Sequence, residues 1–342
     1  MSATSEPHDT PPDAGRTTAR TVAAPSRPTN RATNRAANRA ALAPRGAPEL
    51  LEPVLTWYDT HGRDLPWRRP EATPWGVFVS EVMSQQTPLS RVEPRWVEWL
   101  TRWPTPAALA ADSPGEAVRA WDRLGYPRRA LRLHEAATAI VRDHGGQVPA
   151  DLEDLLALPG VGAYTAAAVA AFAYGRHSVV VDTNVRRVQA RAVTGAALAA
   201  PTQTAAEVRL AATLVPDDPA TAARWNVAIM ELGALVCTAR APACERCPIR
   251  TQCAWQAAGA PPDAGPPRRG QAWHGTDRQI RGRILALLRE APGPLPRRAL
   301  QGACPDEPDR FQRCLAGLVE DHLIEPDDDG PPDADDTYRL PH

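Results

Sequence analysis

Four cysteines, Cys237, Cys244, Cys247 and Cys253, fall within 17 residues in a C-x6-C-x2-C-x5-C pattern. Thiolates crowded this closely need a metal ion or a cluster to neutralise them. Disulfides fit poorly, because the first 15 residues have no apolar leader and include Glu6, Asp9 and Asp13. Zinc sites are usually marked by paired C-x2-C spacings, and only one is present. A single compact stretch of four cysteines suits a [4Fe–4S] cluster better, with zinc the standing alternative. Arg240, Arg246 and Arg250 ride on the same loop, where they can reach phosphates. Cys304 and Cys314 lie outside the pattern and read as core residues.

Two carboxylates stand out by their neighbours. Glu81 lies among Phe78, Val79, Val82 and Met83 and just before Gln85 and Gln86. Partial burial there would raise its pKa toward the range of a general acid, although most helical glutamates are solvated. Asp182 follows Val179-Val180-Val181 and precedes Thr183, Asn184 and Arg186. An aspartate at the end of an extended run is often only a helix cap. Neither residue alone carries a catalytic claim. A third element is Leu158-Pro159-Gly160-Val161-Gly162-Ala163-Tyr164-Thr165. Glycines at 160 and 162 permit a tight turn that exposes backbone N–H groups at the next helix's N-terminus. That arrangement would clamp a phosphate, and a plain inter-helix turn could look the same.

Helices must position these groups. From Glu49 to about Ala258, apolar residues recur at helical spacing: Leu51, Val54, Leu55 and Tyr58; Phe78, Val82 and Met83; Leu131, Ala136 and Ile140; Leu152, Leu155 and Leu156. Breaks fall at Gly62, Gly145-Gly146 and Pro159-Gly160. Val179–Val181 is the one β-like stretch, so the core of 48–258 is all-α. Residues 1–47, rich in Arg, Ala and Pro, carry almost no large apolar side chains and read as a disordered tail. Residues 259–273 read as a linker. In 274–342, Thr276 can cap a helix bearing Ile280, Ile284, Leu287 and Leu288. A short helix near 297–303 and one bearing Phe311, Leu315 and Leu318 follow. Leu323-Ile324 can then pair with Tyr338–Leu340, which is winged-helix-like, and a plain helical cap is the alternative.

Composition sets the limits. The chain has 342 residues, net charge −1, and arginine as its only strong base, with no lysine. No window is long and apolar enough to span a bilayer, so the expectation is a soluble, cytoplasmic, nucleoid-associated monomer. Residues 1–47 hold 7 Arg against 3 acids, whereas 259–342 hold 11 against 15. Nucleic-acid binding must therefore use a local face.

Taken together, Leu65–Arg68 (LPWR), Ser80–Thr87 (SEVMSQQT), Leu124–Ala130 (LGYPRRA), Leu158–Ala168, Val181–Val188 (VDTNVRRV), Met230–Cys237 and the cysteine signature resemble the adenine DNA glycosylases of the MutY family. These belong to the helix-hairpin-helix, endonuclease III superfamily, and the resemblance implies that 48–258 divides into a six-helix barrel over about 75–182 and a cluster domain made of about 48–74 with 183–258. The resemblance implies monofunctional base excision repair on double-stranded DNA containing A:8-oxoguanine or A:G mismatches. It implies that Glu81 protonates the departing adenine and Asp182 stabilises the sugar cation, with Asn184 beside it and Tyr164 near the sugar. It also implies that Gln86 wedges into the stack and that Arg68 lines the base pocket. Gln85, Gly125, Tyr126, Gly160, Val161, Gly162 and Arg240 are the further candidate DNA contacts. Cys237, Cys244, Cys247 and Cys253 would hold [4Fe–4S]. The chain departs from the family at Ser84 (usually Leu), Pro127 (Tyr), Thr183 (Gly) and Val227 (Gln or Glu). Its segment after Ala258 reads as helical and winged, in place of a larger, strand-rich NUDIX-like domain.

The remaining alternatives are a thymine mismatch glycosylase on the same scaffold and a non-enzymatic iron–sulfur redox regulator. Lyases of this superfamily use a hairpin lysine, and this chain has Tyr164 there and no lysine anywhere. Product DNA should therefore keep an intact abasic site that breaks only after alkali or heat, with no complex trapped by borohydride. Tyr164→Lys should gain such a complex. Efficient trapping of the unsubstituted chain would overturn the monofunctional reading.

Overall fold

Prolines open many of the helices, and short polar side chains cap several of them. In the computed structural model, which describes residues 47–263, 265, 275–327 and 336–342, α1 spans Ala47–His61 and α2 Pro74–Met83. There follow α3 (Leu89–Arg102), α4 (Pro106–Ala110), α5 (Pro114–Trp121), α6 (Arg128–His144), α7 (Leu152–Ala157) and α8 (Ala163–Tyr174). Next come α9 (Thr183–Gln189), α10 (Ala205–Leu214), α11 (Pro219–Leu235) and the short α12 (Ala254–Ala257). Pro74, Pro106, Pro114 and Pro219 sit in first turns, where a missing N–H is no loss. Thr73, Thr105 and Asp218 cap three of these helices with side-chain oxygens. The expected tail lies outside the described residues, as does most of the linker.

Two apolar cores result. One gathers α2 to α8 around Phe78, Trp99, Trp121 and Ile140, with Trp99 edge-on to both Trp103 and Trp121. The other joins α1 to α9, α11 and the cysteine loop through Leu50, Trp57, Val188, Trp225 and Ile249. Between them runs α8, whose residues Thr165–Ala171 are all buried. Its alanines let α2 pack on one side and α11 on the other.

The sequence reading departs from the structure in four places. Val179–Val181 is extended but joins no sheet, because Asn226 ties it instead: Val180 N donates to Asn226 Oδ1 (3.4 Å), and Asn226 Nδ2 donates to Ser178 O (2.8 Å). Of the leucines on α7, Leu155 is buried but Leu152 and Leu156 are exposed, since this six-residue helix lies on the surface. Thr276 occupies the N-cap of α13 (Asp277–Glu290) without a side-chain capping bond, and Gly275 N donates to Gln279 Oε1 nearby. Leu323 and Ile324 do not pair as a strand; they enter the core, and pairing begins two residues later.

The C-terminal segment has a winged-helix-like order of elements: α13, β1 (Leu295–Pro296), α14 (Arg297–Gln301), α15 (Pro308–Glu320), β2 (Glu325–Pro326) and β3 (Thr337–Arg339). The sheet is antiparallel, in the order β1-β3-β2, with Leu295 opposite Tyr338 and Glu325 opposite Arg339. Its core, including Cys304 and Cys314, is continuous with that of α2–α8. Arg119 donates to Ala291 O (3.1 Å), Arg289 to Val118 O (2.9 Å) and Gly115 N to Pro341 O (2.7 Å). At Gly115 an added Cβ would lie 2.3 Å from Pro341 O. Gly115→Ala should loosen this docking by about 1–3 kcal/mol, the usual range for overpacking. Faster amide exchange through 337–340 would report it, and unchanged exchange would show that the domain is held elsewhere.

Candidate active site

Glu81 lies in the last turn of α2 and is buried among apolar side chains. Tyr164, in the first turn of α8, donates its hydroxyl to Glu81 Oε2 at 2.9 Å. Loss of water pushes the Glu81 carboxyl up to about 7; Tyr164 and Arg68 oppose the shift, and the Asp182 charge adds to it. Asp182 is also raised by burial, against the hydrogen bonds that it accepts. It is both cap and candidate. Its Oδ1 accepts Val185 N at the start of α9, and its Oδ2 accepts Asn184 Nδ2, both at 2.7 Å. The structure thus brings Glu81, Tyr164, Asp182, Asn184 and Arg68 into one neighbourhood. It can support acid–base chemistry beside a developing cation.

Arg68 comes from a 3-10 turn, Pro66–Arg68, and its Nη2 donates to Glu231 Oε2 at 2.9 Å. Arg63 holds the same carboxylate with Nε (2.6 Å) and Nη2 (2.8 Å). Glu231 is buried, yet these guanidiniums hold it at about 2. Arg187 donates to Asn184 Oδ1, Gly233 O and Cys237 O, each at 2.6 Å, so one side chain ties the Asp182 cap to the cysteine loop.

The Gln85–Gln86 turn faces the other way. Gln86 is exposed at a left-handed φ of 53°, while Gln85 Nε2 donates to Thr165 Oγ1. Arg129 fastens this turn from beneath, donating to Val82 O, Met83 O, Gln85 O, Thr87 Oγ1 and Gly125 O. Burial without a carboxylate partner lowers its pKa to about 10. Gly125 and Tyr126 are also left-handed, and Tyr126 is exposed. At the hairpin only Gly160 needs positive φ (73°); there a Cβ would strike the Arg132 side chain. Gly162 is not required for the turn. It is the N-cap of α8, with open space before it, and it leaves the first-turn amides accessible beside Val161.

Cys237, Cys244, Cys247 and Cys253 line one small cavity with Arg191, Val236 and Trp255. Burial pushes the Cys247 thiol up to about 11. Arg191 donates to Thr238 O (2.7 Å), approaches Cys237 Sγ (3.4 Å) and lies over the Trp255 ring. Arg240 is exposed on the same loop. Among the described residues, no three of His, Cys, Asp and Glu are gathered tightly enough to hold a single metal ion.

With this geometry in hand, residues 79–212 match the family described as HhH-GPD superfamily base excision DNA repair protein. The adenine DNA glycosylase of Mycobacterium tuberculosis is 53% identical over 271 residues, covering 79% of this chain and 88% of that one. The chain belongs to the adenine DNA glycosylase family. The adenine DNA glycosylase of Mycolicibacterium smegmatis is 52% identical over 81% of this chain and 93% of its own length. A thermostable thymine-DNA glycosylase superposes with a TM-score of 0.56 at 27% identity, covering 62% of this chain and 97% of that one. An endonuclease III–DNA complex (TM-score 0.53, 22% identity, 61% and 95% coverage) shares the fold. The enzyme is a DNA glycosylase on an all-α helix-hairpin-helix scaffold.

Sequence reasoning assigned no role to Glu231, Arg129 or Arg187, although each falls within a quoted motif. An acid or base inside an otherwise apolar motif was the available signal. Glu81 yields a sharp expectation, because its neutral form is favoured by burial. Its folded pKa of about 7 exceeds the ordinary 4.5, so stability falls as pH rises from 4.5 to 7. Glu81→Gln should cut single-turnover base excision by about 100-fold or more. It should also raise stability at pH 8 by up to about 3 kcal/mol, a gain that vanishes near pH 4.5. Near-normal excision by the variant would make Glu81 a structural residue.

Proposed function

We propose that this glycosylase hydrolyses the N-glycosidic bond of adenine mispaired with guanine or 8-oxoguanine, after flipping the base from the duplex. The observation that carries the reading is the buried, high-pKa Glu81 joined to Tyr164 in the neighbourhood of Asp182. Tyr164 occupies Oε2, so the acidic proton can sit on Oε1 and be delivered to the leaving base. Asp182, oriented by Val185 N and Asn184, supplies negative charge to the oxocarbenium-like sugar. Water then adds to the sugar carbon, and the strand stays intact. Gln86, exposed at the tip of its turn, fills the gap in the stack, while the amides around Gly160–Gly162 hold the backbone.

The four thiols suit a [4Fe–4S] cluster held by Cys237, Cys244, Cys247 and Cys253. All four line one cavity, which supports a single shared cofactor. When bound, the cluster supplies a rigid anchor for the loop that presents Arg240.

Adenine release should be fastest from duplexes with A opposite 8-oxoguanine or G, and slower opposite C or T. Purified anaerobically, the protein should be brown with about four iron per chain. Release of thymine in place of adenine would favour the thymine-mismatch reading, to which Val227 in the position usual for Gln or Glu lends weight. Inactivity on every mismatch would favour a binding role, and stoichiometric zinc would overturn the cluster.

A further inference from the structure

One wide cleft in the described molecule does not contain Glu81. It opens on the far side of Gln85 and Gln86, between the α5–α6 turn and α13 of the winged domain, with a volume of about 1450 Å³. That exceeds the roughly 300–1,000 Å³ of small-molecule pockets, though it is too narrow for a whole duplex. Eleven arginines line it against three carboxylates, Asp122, Glu290 and Asp321. In a chain of net charge −1 such a concentration is local and strong.

Several of these arginines are spent on structure. Arg129, Arg119 and Arg289 hold carbonyls, and Arg281 pairs with Asp321. Others present charge. Arg91, Arg123 and Arg132, on the core side, are exposed, and among the described residues no carboxylate pairs with them. Facing them from α13 are Arg278, whose guanidinium lies 4.7 Å over the exposed Tyr126 ring, and Arg283, which is exposed although its Nη1 donates to Ala303 O at 3.2 Å. The cleft runs from Gln86 to Gly160, so whatever occupies it also meets both the wedge and the hairpin.

We infer that α13 of the winged domain is a second backbone clamp, closing this cleft on one sugar–phosphate strand of the DNA beside the flipped nucleotide. The domain does not use α15, the helix that would ordinarily read a groove. That helix is preceded by Asp306 and Glu307 and carries Asp309 in its first turn, and its Arg310 is consumed by Asp277 and Glu307. A polyanion would be repelled there and drawn to α13. The inference rests on DNA being the substrate.

The test is DNA binding by the full chain across a salt series, using an undamaged and an A:G duplex. Each phosphate contact contributes about 0.9 to the slope of log affinity against log salt. Arg278→Gln with Arg283→Gln should weaken binding to both duplexes and make the slope shallower by about 2. Arg313→Gln, which removes one charge from the exposed side of α15, should leave the slope unaltered. Gly282 lies between the two arginines with nothing within 4 Å of an added Cβ, so substitutions there avoid the core. Gly282→Asp should weaken binding, and Gly282→Arg should tighten it with a slope steeper by about 1. These variants keep the test decisive should the double variant fold poorly. Slopes unchanged in the double variant and in both Gly282 variants would overturn the clamp. Adenine release by the parent chain is measured alongside. Release with unchanged slopes removes the clamp and leaves the proposed function standing. No release, with slopes that shift as expected, keeps the clamp and removes the adenine reading.

Discussion

A carboxyl group without a full counter-charge, sealed inside helix packing, is the constraint around which this molecule is arranged. To act as an acid Glu81 must hold its proton near pH 7, and desolvation is the largest cause that raises its pKa to about 7. A guanidinium bonded directly to it would hold it ionised. The structure keeps Arg68 close but commits its Nη2 to Glu231, which two arginines hold ionised at about 2. Two buried carboxylates in one neighbourhood thereby take opposite charge states. The difference comes from which of them accepts the guanidinium bonds.

The same economy governs the backbone around the site. Turns that present Gln86 and Tyr126 sit at left-handed φ, which neither residue favours unaided. Arg129 compensates by drawing their carbonyls onto one buried guanidinium, whose rigid fork of donors lysine could not supply. Arg187 does the equivalent on the other side, between Asn184 and the carbonyls of Gly233 and Cys237. Planar cations thus do much of the positioning on both sides of the site.

How much of this was legible beforehand follows from the range of each interaction. Helices α1, α2, α6 and α7 could be read because periodicity and proline or glycine punctuation are local. So could the cysteine loop and the hairpin, which are contiguous in sequence. Glu81 and Asp182 were visible as polar residues in apolar surroundings, but their shared neighbourhood was not, because Tyr164 stands 83 residues from Glu81. Glu231 pairs with Arg63 across 168 residues, and no local pattern announces such a partner. Within the winged domain the three helices followed from their stripes. The strands are only two or three residues long, too short for alternation to mark, so their register was displaced and β1 went unseen.

The absence of lysine bears on more than strand cleavage. Arginine keeps its charge in almost any environment, so a chain limited to it cannot place a neutral amine beside the sugar. It can, however, bury cations as struts, as Arg129 and Arg289 show by their lowered pKa near 10. Each remains charged at neutral pH and contributes to the potential of the cleft while bonded to carbonyls. The struts that join the winged domain to the core, Arg119 and Arg289, also line that cleft. Docking the domain and attracting a polyanion therefore draw on the same side chains. A replacement that preserved packing but removed charge would separate the two roles, whereas one that removed both would not.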